Sequence, residues 1–375
     1  MKISLIEPFH TGSHAAWAEE YARYSRHDVS LLTLSGRHWK WRMHGGAVTL
    51  ARQFIANDCR PDLLLVSDML DLTTFLALTR AKSGNIPCAF YCHENQLTYP
   101  WSPTDTDPAE QRDAHYAFIN YTSALAADAV LFNSRYHLEA FHDQLPEFLT
   151  IFPDHKELAG LVQLKSKSTV LPLGLDLQRF DRYRPEQPKN TEKPPLILWN
   201  HRWEYDKNPA EFFQALYRLQ KEGIAFEVAV LGEAYRKCPP VFVEARQRLG
   251  ERIVQFGYVE DFADYARWLW QADILPVHSH HDFFGASVVQ AIYCRCTPLL
   301  PRRLAYPEHL PASLHERFLY ASLDELLGLL RELLKRPVQE DEELRNHTAR
   351  YDWGKLAGTY DDFFEKLVAE RRLRQ

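Results

Sequence analysis

Short apolar runs, each followed by a polar loop and then a helix, recur along this chain, and that alternation restricts its fold more than any other property. Residues 3–7 (ISLIE) form an apolar run, residues 8–13 hold a proline and a glycine, and residues 14–24 place apolar side chains at helical spacing. The order returns with a strand at 62–67 and a helix at 72–81, a strand at 88–92, and a strand at 129–132 followed by a helix at 136–143. Strands separated by helices need crossover connections, which make a parallel sheet. After a strand-like run at 168–173, residues 182–195 (RYRPEQPKNTEKPP) turn polar and proline-rich, as interdomain linkers do. The alternation then restarts, with strands at 196–199, 225–231, 253–256 and 274–276. The expected organisation is an α/β half at 1–178, a linker at 179–194, a second α/β half at 195–350 and a C-terminal helix at 351–375.

A length of 375 residues suits two such domains at roughly 150 residues each. Chains of this size bury enough apolar surface to need neither disulfides nor a structural metal. The six cysteines contain no C-x-x-C pair, so they read as buried thiols. The first 25 residues lack a small-residue cleavage site, and no stretch approaches the roughly 18 uninterrupted apolar residues of a spanning helix. A cytoplasmic protein with no membrane association is expected. The net charge of −6 argues against wholesale coating of nucleic acid but leaves room for local basic patches.

In open parallel sheets the chemistry lies just beyond the carboxyl ends of the strands. Thr11-Gly12-Ser13-His14 follows the first strand, where Gly12 permits a tight turn, Ser13 can cap a helix and free N–H groups can hold a polar ligand. It is not the three-glycine dinucleotide fingerprint, which disfavours nicotinamide chemistry. His10 and His14 lack a third ligand, so no metal site is expected. His93-Glu94-Asn95-Gln96 follows the strand at 88–92, and a histidine there suits a sugar hydroxyl or proton exchange. Residues 200–209 (NHRWEYDKNP) place Arg202 and Lys207 close to a helix start that Asn208 would cap. Cations are misplaced there unless an anion such as a diphosphate lies between them or Glu204 and Asp206 pair with them. Residues 278–291 put Asp282 on a loop, Gly285 at a turn, and Ala286 and Gln290 on the next helix, so both polar groups can face one ligand. Residues 36–46 interleave Arg37, Lys40 and Arg42 with Trp39 and Trp41 in a glycine-bounded loop. Such a loop suits unstacked bases and phosphates, or is simply solvated around one buried tryptophan.

Taken together, these features resemble the two-domain retaining glycosyltransferases of the GT-B fold, whose second domain carries an Arg…Lys loop and a Glu-x7-Glu motif. Carrying the likeness are the glycine turn after the first strand, His93, residues 171–176 (LPLGLD), Arg202 with Lys207, Leu231-Gly232, residues 256–259 (FGYV) and residues 282–290. Asp282 and Gln290 stand where that family has its two glutamates. Asp282 keeps a carboxylate; Gln290 loses the charge and keeps an acceptor and a donor. Within that family, Glu7-Pro8-Phe9-x-x-Gly12-Ser13-His14, Trp39-Lys40-Trp41-Arg42 and residues 92–100 (CHENQLTYP) are similar to the tRNA-queuosine α-mannosyltransferases.

The resemblance implies two Rossmann-like, doubly wound domains facing a cleft, and transfer of mannose from GDP-mannose to queuosine in the anticodon loop of aspartate tRNA, with retention and without a metal or other cofactor. It implies His93 and Asp282 as catalytic residues, and Arg202, Lys207, Asp282, Gly285, Ala286 and Gln290 as donor-binding. The acceptor would meet Gly12, Ser13, His14, Glu94 and Asn95, with Arg37, Trp39, Lys40, Trp41 and Arg42 on the tRNA. Two other readings stay open: a GT-B enzyme acting on a saccharide, lipid or small molecule, and a non-catalytic RNA or sugar-nucleotide binding protein.

Overall fold

The structure, a computed structural model, describes residues 1–103, 105–109, 114–187, 189, 192–233, 238–335 and 341–373. Its contacts divide the chain into two units, Met1–Leu175 with Tyr351–Gln375, and Asp176–Arg350.

In the first unit β1 (Lys2–His10), β2 (Asp28–Ser35), β3 (Leu63–Ser67), β4 (Cys88–Cys92), β5 (Ala129–Phe132) and β6 (Ser168–Val170) form a parallel sheet in the order β2-β1-β3-β4-β5-β6. The runs LLLVS, CAFYC and AVLF of β3, β4 and β5 are buried throughout, as strands covered on both faces must be. Packed around the sheet are α1 (Gly12–Tyr24), α2 (Trp39–Ala56), α3 (Leu72–Ser83), α4 (Ala114–Ala126) and α5 (Arg135–Thr150). Phe54, Phe75, Phe90, Tyr121, Phe132 and Phe141 meet in one core. Asp71 and Ser134 cap α3 and α5 by accepting the N–H of Thr74 (2.9 Å) and His137 (3.0 Å).

In the second unit β7 (Leu196–Trp199), β8 (Glu227–Leu231), β9 (Ile253–Gly257), β10 (Ile274–Pro276), β11 (Thr297–Pro301) and β12 (Leu319–Tyr320) form a parallel sheet in the order β12-β11-β10-β7-β8-β9. Its core joins Trp199, Phe212, Phe213, Phe242, Leu326 and Leu330. Strand order reverses at β1/β3 in the first sheet and at β7/β10 in the second. Those are the points where a doubly wound sheet opens a crevice beyond its strand ends.

Three expectations are corrected. The division falls between Leu175 and Asp176 rather than after 178, and the start of the expected linker belongs to the second unit: Phe180, in the short helix Gln178–Asp181, is buried and its carbonyl accepts the Trp270 indole N–H at 2.9 Å. Residues 188, 190 and 191 of that linker lie outside the described residues. The C-terminal helix, Trp353–Leu373, is no separate element but packs on α1. Tyr21 donates to Asp361 (2.8 Å), the Trp353 indole to Glu20 (2.9 Å), and Tyr360 to the Pro172 carbonyl (2.8 Å). Near its end Arg371 pairs with Asp128 (3.2 Å) and Arg372 with Asp62 (2.9 Å); Arg374 lies outside the described residues. Among the described residues no helix is long and apolar enough to cross a membrane.

Candidate active site

At the first switch point, β1 delivers Glu7, the first turn of α1 delivers His14, the segment after β3 delivers Asp68, and the segment after β4 delivers His93; all four are buried. Glu7 accepts the Phe9 N–H on Oε1 (2.7 Å) and faces His14 Nδ1 with Oε2 (3.0 Å). The rings of His14 and His93 lie 4.2 Å apart. Burial disfavours a charge on His14, but the Glu7 carboxylate outweighs it and brings the imidazole up to about 9. Burial, then the charge of His14, then His137 hold His93 well below the ordinary histidine value. Burial also pushes the Asp68 carboxyl up, against the pull of His14. Glu7, His14 and His93 offer ligand atoms within 4.8 Å of one another, but Glu7 and His14 already satisfy each other as an ion pair. Gly12 and Ser13 are exposed at the α1 start, Gly12 at φ 52°. Ser13 does not cap: Thr11 occupies that position and makes no side-chain cap.

After His93 the chain turns on Asn95, whose Oδ1 accepts the N–H groups of Leu97 (3.1 Å) and Thr98 (3.0 Å). Its side-chain carbonyl is therefore spent on the loop, while Nδ2 is buried without a hydrogen-bond partner among the described residues. Glu94 accepts from the Gln96 amide (2.8 Å).

Residues 36–46 are not one loop. Trp39 begins α2, behind His38 in the left-handed conformation, so the tryptophans project from helical turns. Trp39 packs against Tyr116 and Trp101, whereas Trp41 is 63% exposed. Lys40 is no freely presented cation, because Asp105 (2.7 Å) and Asp107 (2.5 Å) hold it. Arg42 donates to the carbonyl (3.0 Å) and hydroxyl (3.1 Å) of Ser35; Arg37 is exposed.

At the second switch point the segment after β7 carries Asn200, His201, Arg202, Glu204, Asp206 and Lys207, and the segment after β10 carries Asp282. Lys207 is buried and meets Asp206 (3.1 Å), Asp282 (3.1 Å) and the His281 carbonyl (2.8 Å). Burial works against its charge, and Asp282 and Asp206 more than restore it. Burial would raise Asp282, but Lys207, then His201 and the Tyr306 hydroxyl (2.9 Å), hold it below the usual carboxylate range. Arg202 lies 3.4 Å from Glu204, whose carboxyl burial pushes up. Three carboxylates thus face two cations, so a diphosphate would have to compete for Lys207. Burial, with Lys207 beside them, brings His201 and His281 down to about 4. Asn208 caps with its backbone in the left-handed conformation; its amide donates to Glu211 (2.7 Å) instead of accepting from the helix.

Gly285 has φ 89° at the start of the helix Ala286–Tyr293, and a Cβ there would come within 3.2 Å of the Tyr306 ring. Gly285 therefore answers both a left-handed turn and a close approach. Further along that helix, Gln290 Oε1 accepts the Tyr265 hydroxyl at 2.9 Å. That leaves Nε2 as the group Gln290 can offer.

The Drosophila melanogaster protein described as a tRNA-queuosine alpha-mannosyltransferase is 32% identical to this chain over 99% of this chain and 98% of its own length. The family described as tRNA-queuosine alpha-mannosyltransferase N-terminal matches residues 2–175, the first unit without its returning helix. The chain belongs to the tRNA-queuosine alpha-mannosyltransferase family. Among solved structures it is similar to an alpha,alpha-trehalose-phosphate synthase from Burkholderia xenovorans (TM-score 0.70, 12% identity, 98% of this chain and 100% of that one) and a sucrose-phosphate synthase from Thermosynechococcus elongatus (TM-score 0.69, 14% identity, 99% and 100%). Those likenesses show the GT-B fold of glycosyltransferases.

In this member of the mannosyltransferase family, the structure brings His14 and His93 together, and likewise Lys207 and Asp282; Lys40, Trp39 and Arg42 it ties into the first unit. Sequence reasoning did not single out Glu7, Asp68, Asp206, Tyr265 or Tyr306 as site residues. Asp68 lies just past the end of β3, and Glu7 closes the apolar run at 3–7 although β1 continues to His10; both were signals there to use. Tyr306, 24 residues from its partner Asp282, carried none.

Proposed function

We propose that this chain transfers mannose from GDP-mannose to the queuosine of aspartate tRNA with retention at the anomeric carbon, the second unit binding the donor and the first the acceptor. The observation that carries the proposal is the 32% identity to a queuosine mannosyltransferase along essentially the whole chain. In this reading Arg202, Lys207 and the N–H groups after Gly285 stabilise charge on the departing diphosphate, the largest service a transferase can offer here. Asp282 orients the mannose hydroxyls, and Gln290 donates from Nε2 to the ribose. His93 accepts a hydrogen bond from the acceptor hydroxyl or holds a sugar hydroxyl. The departing phosphate oxygen takes the acceptor proton as the new bond forms on the same face. In this reading the cations that meet the diphosphate are side chains rather than a metal ion, and the reaction belongs to the cytoplasm.

The test is incubation with labelled GDP-mannose and queuosine-containing tRNA, with and without EDTA, followed by nucleoside mass analysis. A mannosyl-queuosine nucleoside, formed equally with EDTA, is expected. Donor hydrolysis without tRNA binding would favour a saccharide, lipid or small-molecule acceptor. Binding of both substrates without turnover would favour a non-catalytic protein.

A further inference from the structure

Glu7, on β1, shares a buried cluster with His14, Asp68 and His93, and the acceptor chemistry proposed above gives it no part. We infer that Glu7 is a positioning residue for the acceptor half of the site, acting on His93 through the ring of His14. This rests on the role proposed above for His93.

Glu7 is fully buried and both of its oxygens are engaged. Oε1 is fixed by the Phe9 N–H (2.7 Å) of its own strand, so Oε2, at 3.0 Å from Nδ1, fixes the His14 ring in turn. That ring lies 4.2 Å from His93 at an interplanar angle of 39°, and Trp17 (4.7 Å) and Tyr91 (4.9 Å) close in on His93 from other directions. The backbone of His93 is held as well. Its N–H donates to Asp68 Oδ1 (2.8 Å) and its carbonyl accepts from the Asn133 amide (2.8 Å). What this clamp leaves over is His93 Nε2, buried without a hydrogen-bond partner among the described residues. A buried polar atom in that condition calls for a reason, and a ligand that completes it is one.

Charge follows the same geometry. His14 stands in the first turn of α1, where the helix dipole disfavours a cation, and burial disfavours it further. The groups facing it are Glu7 on β1, Asp68 after β3 and Glu94 after β4; of these Glu7 contributes most, bringing the imidazole up to about 9. His93 faces His14 from α1 and His137 from α5, and together with burial they hold it neutral. A neutral ring beside a fixed cation can accept a hydrogen bond from an acceptor hydroxyl at Nε2 across the neutral pH range. Without the Glu7 charge, burial and the helix dipole make His14 give up its proton at a lower pH than before, and wherever the His14 cation is absent the repulsion on His93 is lifted, so that His93 is protonated more readily.

The test compares the unaltered full chain with Glu7→Gln, Glu7→Asp and His14→Gln by two readouts, 15N-histidine NMR titration and the pH profile of kcat/KM with GDP-mannose and queuosine-containing tRNA. For Glu7→Gln the His14 titration should fall by about two pH units or more, and for His14→Gln, which lacks the cation at every pH, the acid limb of kcat/KM should move up by about one. Glu7→Asp, which keeps the charge, should return the His14 titration toward its original position. A uniform loss of rate with the limb and the titrations unmoved would make Glu7 a purely structural residue and overturn the inference. The His14→Gln readout does not depend on the folding of Glu7→Gln, and an unmoved limb in it overturns the inference equally. Absence of transfer by the unaltered chain overturns the functional reading instead, and the histidine titrations then decide the coupling by themselves.

Discussion

Individual side chains in the two switch-point clusters are paired more completely than their sequence context shows, and that changes what substitutions should do. Lys207 and Arg202 look alike in the run NHRWEYDK, yet Lys207 is buried against Asp206 and Asp282 while Arg202 is exposed beside Glu204. Lys207→Met would strand the buried Asp206 and the half-buried Asp282 and should cost about 3–5 kcal/mol. Arg202→Ala should stay within about 0.5 kcal/mol, although both lower mannose transfer. Urea unfolding of the two variants checks this, and equal stability would mean that Lys207 is not the structural cation of its loop. A second expectation concerns pH. The His14 imidazolium, raised from 6.5 to about 9, contributes stability that is fully present below pH 6.5 and is lost as pH rises through 9, on the order of 3 kcal/mol. The stability gap between the unaltered protein and Glu7→Gln should therefore narrow by about that amount between pH 6 and pH 9.5, measured as unfolding free energy. Sequence spacing places Glu7 and His14 seven residues apart but cannot show that the carboxylate turns back onto the ring, because the turn that returns it spans a proline and a glycine with no helical or strand period.

Among the elements, those legible in the sequence are the ones with a single dominant constraint. β3, β4, β5 and β7 are short, almost wholly apolar runs set off by polar residues or proline, and a strand buried on both faces leaves no other option. β2 escaped notice as a partly exposed edge strand, and β11, TPLLP, carries two prolines that argue against a strand although it is buried throughout. The start of α2 misled for another reason. Gly36, Gly45 and Gly46 suggested loop boundaries, whereas two of them answer close packing: a Cβ on Gly36 would lie 2.2 Å from Thr11, and one on Gly45 would lie 2.5 Å from the Trp41 ring. Trp41 thus folds back over the helix surface at Gly45 while remaining 63% exposed, presenting an aromatic face on which a base could stack. Gly45→Ala should push that ring off the helix and weaken tRNA binding by about 1–3 kcal/mol without altering GDP-mannose affinity. Fluorescence titration of Trp41 with tRNA and with nucleotide separates the two; unchanged tRNA affinity would remove this surface from the acceptor contact. Because Lys40 is already held by Asp105 and Asp107, replacing Arg37, Lys40 and Arg42 together should reduce the salt slope by less than three phosphate contacts would.

For the molecule as a whole, two doubly wound sheets were legible from the restarting alternation, but the route of the chain was not. A helix at the end of a sequence reads as an appendage, and nothing in its own periodicity says which sheet it will cover. Here the chain leaves the first unit at Leu175 and re-enters it at Tyr351, where the Leu175 N–H donates to the Tyr351 carbonyl (2.9 Å) and the Trp353 N–H to the Leu175 carbonyl (3.0 Å). Gly174 permits this: a Cβ there would lie 2.4 Å from the Trp353 ring. Beyond that join Trp353, Tyr360 and Phe364 are wholly buried, and Tyr360 lies within aromatic contact of Tyr21 (5.2 Å) and Tyr91 (6.1 Å), the latter being two residues before His93. The last helix is thus part of the core that supports the acceptor cluster, although it is remote from that cluster in sequence. Ending the chain at Arg350 should expose that aromatic set and cost the first unit several large-side-chain burials at about 1.5–3 kcal/mol each, comparable to the whole stability of a domain. The second unit, whose core contains none of these residues, should keep its structure. Hydrogen exchange on the truncated chain is the measurement: amides of β1, β3 and β4 should lose their protection while those of β7, β8 and β10 retain it. Protection lost equally in both sheets would mean that the two units fold as one cooperative whole, and protection kept in both would mean that the returning helix adds nothing to the core it covers.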